Sequence, residues 1–138
     1  MNSELSGQLD AALTDGNLLQ SSHENITELL SSGNPIYEAS VAELAERQEW
    51  TELNNRFFKK LEFGTGGLRG RSIGEIVTAA ERGSAVDGER PEYPCVGTSG
   101  LNYYNITRAT LGLVRQLVKA HTGEGRPSLA LARDTRYF

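Results

Sequence analysis

The sequence predicts an α/β fold, a helical leader followed by an incomplete α/β layer, and three observations predict it. Trp50, Leu53, Phe57 and Leu61 form one apolar stripe at helical spacing that leads into a glycine cluster. A second helix, over about Asn105 to Ala120, carries an apolar face broad enough to imply burial against a sheet. After a turn at Gly125-Arg126-Pro127, Ser128-Leu129-Ala130-Leu131-Ala132 reads as a short buried strand.

A chain of 138 residues, 38% of them hydrophobic and 23% charged, is long enough to bury a core and ordinary for a globular protein. The net charge of −4 argues against a general nucleic-acid-binding surface, although a site for one phosphate needs only an arginine or two. The single cysteine, Cys95, forms no intramolecular disulfide, which fits a reducing compartment. The N-terminal residues show neither the basic nor the apolar region of a signal peptide, and no apolar run approaches the roughly 20 residues that span a bilayer. A cytoplasmic setting is expected, with no membrane partner.

Residues 1–34 are weakly patterned. Leu5, Leu9, Ala12 and Leu13 sit at helical spacing, and Ile26, Leu29 and Leu30 suggest a second short helix. The expectation is a weakly ordered helical leader, closed by the break at Ser31-Ser32-Gly33-Asn34-Pro35. His23 has no second metal ligand nearby and reads as a surface side chain. Residues 35–60 form a helical N-terminal segment. Ser40-Val41-Ala42-Glu43 has the form of a capping box for a helix to about Gln48, and Glu49 and Glu52 against Arg56, Lys59 and Lys60 follow the helix dipole of the next one. Trp50 and Phe57 read as core and the Lys59-Lys60 pair as a solvated helix end.

The third segment, 61–138, is the incomplete α/β domain. It opens with Leu-Glu-Phe-Gly-Thr-Gly-Gly-Leu-Arg-Gly-Arg at 61–71, in which Gly64, Gly66, Gly67 and Gly70 surround Thr65 and Arg69. Glycine reaches positive φ without strain and lets a ligand or backbone approach, and an arginine there offers a planar fork of donors to phosphate. The string is neither a P-loop, since no Gly-Lys-Ser/Thr follows, nor a dinucleotide fingerprint. On the residues alone, a glycine-rich turn beside a strand modestly outweighs a phosphate loop. Ile73 to Ala79 suggests an extended segment, and Glu81 to Cys95, with Gly83, Gly88, Pro91 and Pro94, reads as an exposed loop. Cys95 reads as a bystander, with no histidine to activate it. Asn102 or Asn105 can cap the long helix, whose apolar face is Ile106, Ala109, Leu113, Leu117 and Ala120, widened by Leu111, Val114 and Val118, opposite Arg108, Arg115 and Lys119. Arg133-Asp134-Thr135-Arg136 falls at the carboxyl end of the expected strand, where open α/β sheets bind ligands.

The 61–71 string resembles the opening signature of the α-D-phosphohexomutases, the phosphoglucomutase and phosphomannomutase family, and is nearest its phosphopentomutase-like branch. Two further stretches are similar in the same order: Asn105 to Leu113, like the family's first domain helix, and Ala132 to Phe138, like its strand followed by Asp-x-Arg. The resemblance covers roughly residues 35–138. It implies an α/β/α first domain, cut off here after the Asp-x-Arg motif, of a four-domain enzyme. Such an enzyme moves phosphate between the hydroxyls of hexose or pentose phosphates through a phosphoserine and a bisphosphorylated sugar, with Mg²⁺. It implies that Arg69 contacts phosphate, that Thr65, Gly66, Gly67 and Gly70 shape the loop, and that Asp134 and Arg136 support the site. Its partners are then a sugar phosphate and the remaining domains of the same polypeptide.

The family's Thr-Ala-Ser-His-Asn-Pro phosphoserine motif, aspartate-rich metal loop and sugar-recognition loop are absent from the chain. In the family they lie beyond the point matching Phe138. Thr98-Ser99-Gly100 lacks the His-Asn-Pro and precedes the helix, so Ser99 is not taken as the nucleophile. The 138 residues alone are expected to be inactive, with no metal ligand among them. The contrasting readings are a non-catalytic module that keeps a phosphate- or sugar-phosphate-binding loop, and a purely structural fragment.

Overall fold

The computed structural model describes residues 3–130 and Ala132, and their regular structure is helical. The order is α1 (Ser3–Thr14), α2 (Gln20–Leu30), α3 (Pro35–Glu46), α4 (Trp50–Phe57), α5 (Ala79–Arg82) and α6 (Tyr103–Ala120).

The first four helices build the core, each through one apolar face. Leu5, Leu9 and Ala12 of α1 and Ile26, Leu29 and Leu30 of α2 are buried against Val41, Leu44 and Ala45 of α3 and Leu53 and Phe57 of α4. Helix α2 packs on α4, α3 on both α4 and α5, and α1 on α2 and α3. Residues 3–30, part of the 1–34 segment read from sequence as a weakly ordered helical leader, supply seven of the thirteen buried residues of the core. Their weak pattern misleads because short helices with only three or four apolar positions still close a core when each packs on two neighbours.

Helix α3 begins earlier than its sequence suggests. Asn34 is the N-cap, its side chain accepting from the Ile36 amide at 3.0 Å, and Pro35 occupies the first turn, where its missing N–H costs nothing. Ser40 is mid-helix and buried, not a cap. The capping box lies instead at Thr78 and Glu81, which bond each other's backbone at the start of α5.

The expected α/β fold, with its α/β/α first domain, is not formed. Among the described residues the one β pairing is an isolated antiparallel bridge between Gly64 and Gly67. Ile73 to Ala79 makes no strand before α5 begins at Ala79. Its Ile76 carbonyl accepts from the Arg56 guanidinium, and the Ser72 carbonyl from the Cys95 amide, so their acceptors serve a folded loop rather than a ladder. Residues 128–130 are likewise without strand structure, and Leu129 is 43% exposed. A strand is stable only when a neighbour pairs with its backbone, and no described segment does so here. Helix α6 correspondingly covers no sheet. Of its residues only Asn105 is fully buried, while Leu111, Val114 and Val118 lie open. No helix among the described residues is long and apolar enough to cross a membrane.

Candidate functional site

The glycine loop rises from a base made by the turn at 95–101. At one end of the loop the Leu61 amide donates to Thr98 O at 2.6 Å, and at the other the Leu101 amide donates to Arg71 O at 2.8 Å. One residue further on, the Cys95 amide donates to Ser72 O at 2.9 Å. Both ends of the 61–71 excursion are thus tied to one short turn. Gly70 is held close to it: a Cβ there would stand 2.9 Å from Leu101 N and 3.2 Å from Gly100 C, so only glycine fits without moving backbone.

The turn is itself gripped from two sides. From α4 and the residues just after it, Arg56 O accepts the amides of Thr98 and Ser99 at 3.0 and 2.9 Å, and the Thr98 and Ser99 hydroxyls donate to Lys59 O and Asn55 O. From the head of α6, Asn102 Nδ2 donates to Cys95 O and Gly97 O at 2.8 and 2.7 Å, and Asn105 Nδ2 to Thr98 O and Gly100 O, both at 2.8 Å. Asn102 is also the N-cap of α6, accepting from the Asn105 amide. The Arg108 guanidinium reaches back to Leu61 O at the start of the loop.

Beneath the base lies a buried charge network. Arg56 Nε bonds Glu52 Oε1 at 2.8 Å, and Nη1 bonds Glu81 Oε1 at 2.5 Å, with all three side chains at most 4% exposed. Glu81 also accepts from the Val96 amide and from Ser40, and Ser40 accepts from Thr78. Burial opposes the charge on Arg56, yet its contacts with Glu81 and Glu52 leave its pKa raised. The same desolvation pushes the Cys95 thiol up to about 11, with Arg56 opposing and Glu81 and Glu52 adding to the rise. A cleft of about 430 Å³ runs alongside, lined in part by Glu52, Arg71, Glu75 and Ser99. Glu52 Oε2 is buried and has no hydrogen-bond partner among the described residues.

The loop tip carries the sequence-predicted residues. A tight turn is closed by Gly64 N to Gly67 O at 3.0 Å, with Gly66 at a φ of 124°, where a side chain would be strained. Thr65 and Arg69 are exposed. No hydrogen bond or ion pair among the described residues engages the Arg69 guanidinium, whereas Arg71 pairs with Glu75 at 3.0 Å. The backbone N–H groups of Thr65, Gly67, Leu68, Arg69 and Gly70 also have no acceptor among the described residues. Among the described residues the tip therefore presents a guanidinium and amide donors without partners, the components of an anion contact.

The structure brings Arg69, Thr65, Gly66, Gly67 and Gly70 into one loop. Asp134 and Arg136 lie outside the described residues. Ser99 is a bonding member of the base, and His23 pairs with Asp10 at 2.8 Å on the surface. Sequence reasoning missed Arg56, Glu52 and Glu81, which read as helix-dipole charges and loop polarity. One signal could have found Glu81: Thr78-Ala79-Ala80-Glu81 has capping-box spacing. No group of three or more His, Cys, Asp or Glu among the described residues is placed to hold a metal ion. No family model, curated protein or solved structure matches the chain.

Proposed function

We propose that these residues are the N-terminal part of a cytoplasmic phospho-sugar mutase, in which Arg69 contacts the phosphate of a hexose or pentose phosphate. The phosphoserine that relays the phosphoryl group and the ligands of Mg²⁺ belong to residues outside the 138, so no chemical step is placed on this chain. Its own contribution is electrostatic. Phosphoryl transfer depends on fixed positive charge and oriented donors at the phosphoryl oxygens, and a guanidinium on a clamped loop supplies both without reorganising.

The observation that carries the reading is Arg69 itself: a guanidinium beside amides, none of them with a partner among the described residues, on a loop anchored at both ends. Of the two arginines of the loop, Arg71 is paired with Glu75, which leaves Arg69 as the one whose guanidinium has no partner among the described residues. The resemblance of 61–71 to the mutase signature is what supports the reaction class proposed.

The test has two arms. Titrating the chain with inorganic phosphate, and then with a bisphosphorylated hexose, should shift the amide resonances of Gly66, Gly67 and Gly70, and Arg69→Ala should abolish the shift. Absence of any shift at millimolar phosphate overturns the reading. Reading the encoding gene beyond the Phe138 codon supplies the second arm. A continuation with a serine-histidine motif and an aspartate-rich loop supports the mutase, and a stop codon there reduces the chain to a phosphate-binding module.

A further inference from the structure

The paired asparagines at the head of α6 have no role in the proposed phosphate contact, yet they are among the most buried polar side chains, Asn102 at 4% and Asn105 at 0% exposed. A buried amide is retained only when its hydrogen bonds are satisfied, and here both are, by four carbonyls of a single turn: Cys95, Gly97, Thr98 and Gly100. That turn is the base to which both ends of the glycine loop are tied, through Thr98 O to Leu61 and through Leu101 N to Arg71. The chain of contacts from α6 to the loop is therefore short and made of hydrogen bonds rather than loose packing.

We propose that Asn105, with Asn102, is a positioning residue that sets the height and orientation of the Arg69 loop. The inference rests on the phosphate-contact reading for its functional meaning, though not for its geometry. Thr98 O is the shared atom: it accepts from Asn105 Nδ2 at 2.8 Å and from the Leu61 amide at 2.6 Å, so its direction is set jointly by α6 and by the start of the loop. Gly100 O, the other acceptor of Asn105, belongs to the residue whose backbone stands against Gly70. Losing the Asn105 amide frees Gly100 O and leaves Thr98 O held by the Leu61 amide alone, so the turn and the loop tied to it lose the direction that α6 imposes. A helix with only its N-terminus embedded is suited to this, because α6 transmits to the turn a fixed direction while making little other contact with the helical core.

The test compares Asn105→Ala and Gly70→Ala with the parent chain by amide hydrogen exchange and phosphate titration. Asn105→Ala should lower protection at the Leu61 and Leu101 amides by roughly tenfold or more, while Leu9 and Leu29 in the core keep theirs. The phosphate-dependent shift of the loop should weaken in parallel. Gly70→Ala, which leaves the asparagines intact but sets a Cβ against Leu101 N, should produce the same pattern at Leu101. If protection at Leu61 and Leu101 falls only in step with Leu9 and Leu29, Asn105 merely stabilises the fold and the proposal is overturned. If it is unchanged in both variants, the loop is not held by this turn, which also overturns it. A parent chain that never responds to phosphate sinks the functional reading alone, since the exchange pattern is read without ligand.

Discussion

Arg56 and Glu81, twenty-five residues apart in sequence, meet at 2.5 Å in the interior, and each is nearly closed to solvent. Their contact joins the last turn of α4 to the capping box of α5, and through the Val96 amide on Glu81 it reaches the base of the glycine loop. A buried pair of this kind contributes little over an apolar substitute, but removing one partner strands the other. Arg56→Met leaves Glu52 and Glu81 buried without their cation. The expected loss is about 3–5 kcal/mol in urea unfolding, and a loss under about 1 kcal/mol would show the network to be dispensable.

Arg69 should behave in the opposite way. It is exposed and has no partner among the described residues, so Arg69→Ala is expected to change stability by no more than about 0.5 kcal/mol. Its cost to phosphate affinity should be about 1.5–3 kcal/mol, the range for a charge-assisted hydrogen bond. Calorimetric titration of the variant beside its thermal melt separates the two effects.

Gly97 carries a steric prediction. A Cβ there would lie 2.8 Å from Arg56 O and 3.0 Å from Arg56 Cβ, both held by α4. Gly97→Ala should therefore destabilise by about 1–3 kcal/mol. Gly67→Ala, with open space around its Cβ, should not. Denaturation midpoints of the two variants check the contrast.

Cys95 gives a pH dependence. Its thiol is raised from 9.0 to about 11 by burial, so the folded chain holds the proton more tightly than the unfolded chain does. The associated stability is fully present below about pH 9 and is lost as pH rises through about 11. Cys95→Ala should show a smaller loss over that window when melts are compared. The thiol is buried and its raised pKa keeps it protonated near neutral pH, so alkylation should track unfolding rather than run freely.

Helix α6 tests the corrected fold. Leu111 and Val118 are 51% and 63% exposed, whereas Leu29 is 1% exposed. Leu111→Ser and Val118→Ser should each cost about 0.5 kcal/mol or less, and Leu29→Ala about 2–5 kcal/mol. A large loss at Leu111 in chemical denaturation would mean that its face is packed.

Local rules were legible in the residues. The apolar spacing of Trp50, Leu53 and Phe57 specified α4, the Asn102 cap and the long amphipathic run specified α6, and the break before Pro35 separated α2 from α3. The glycines and Arg69 marked the loop, because φ at Gly66 and the close approach at Gly70 are demands that few residue types meet. Tertiary structure decided the rest. Strand-like composition at 73–79 and 128–130 forms no sheet, because pairing depends on a distant neighbour that local spacing does not reveal. Arg56, Glu52 and Glu81 look like surface charges one by one, and become a core element only when α4 and α5 bring them together. The helix and turn signals act within a few residues, whereas burial, partner choice and the clamp on the Arg69 loop are properties of contacts dozens of residues apart.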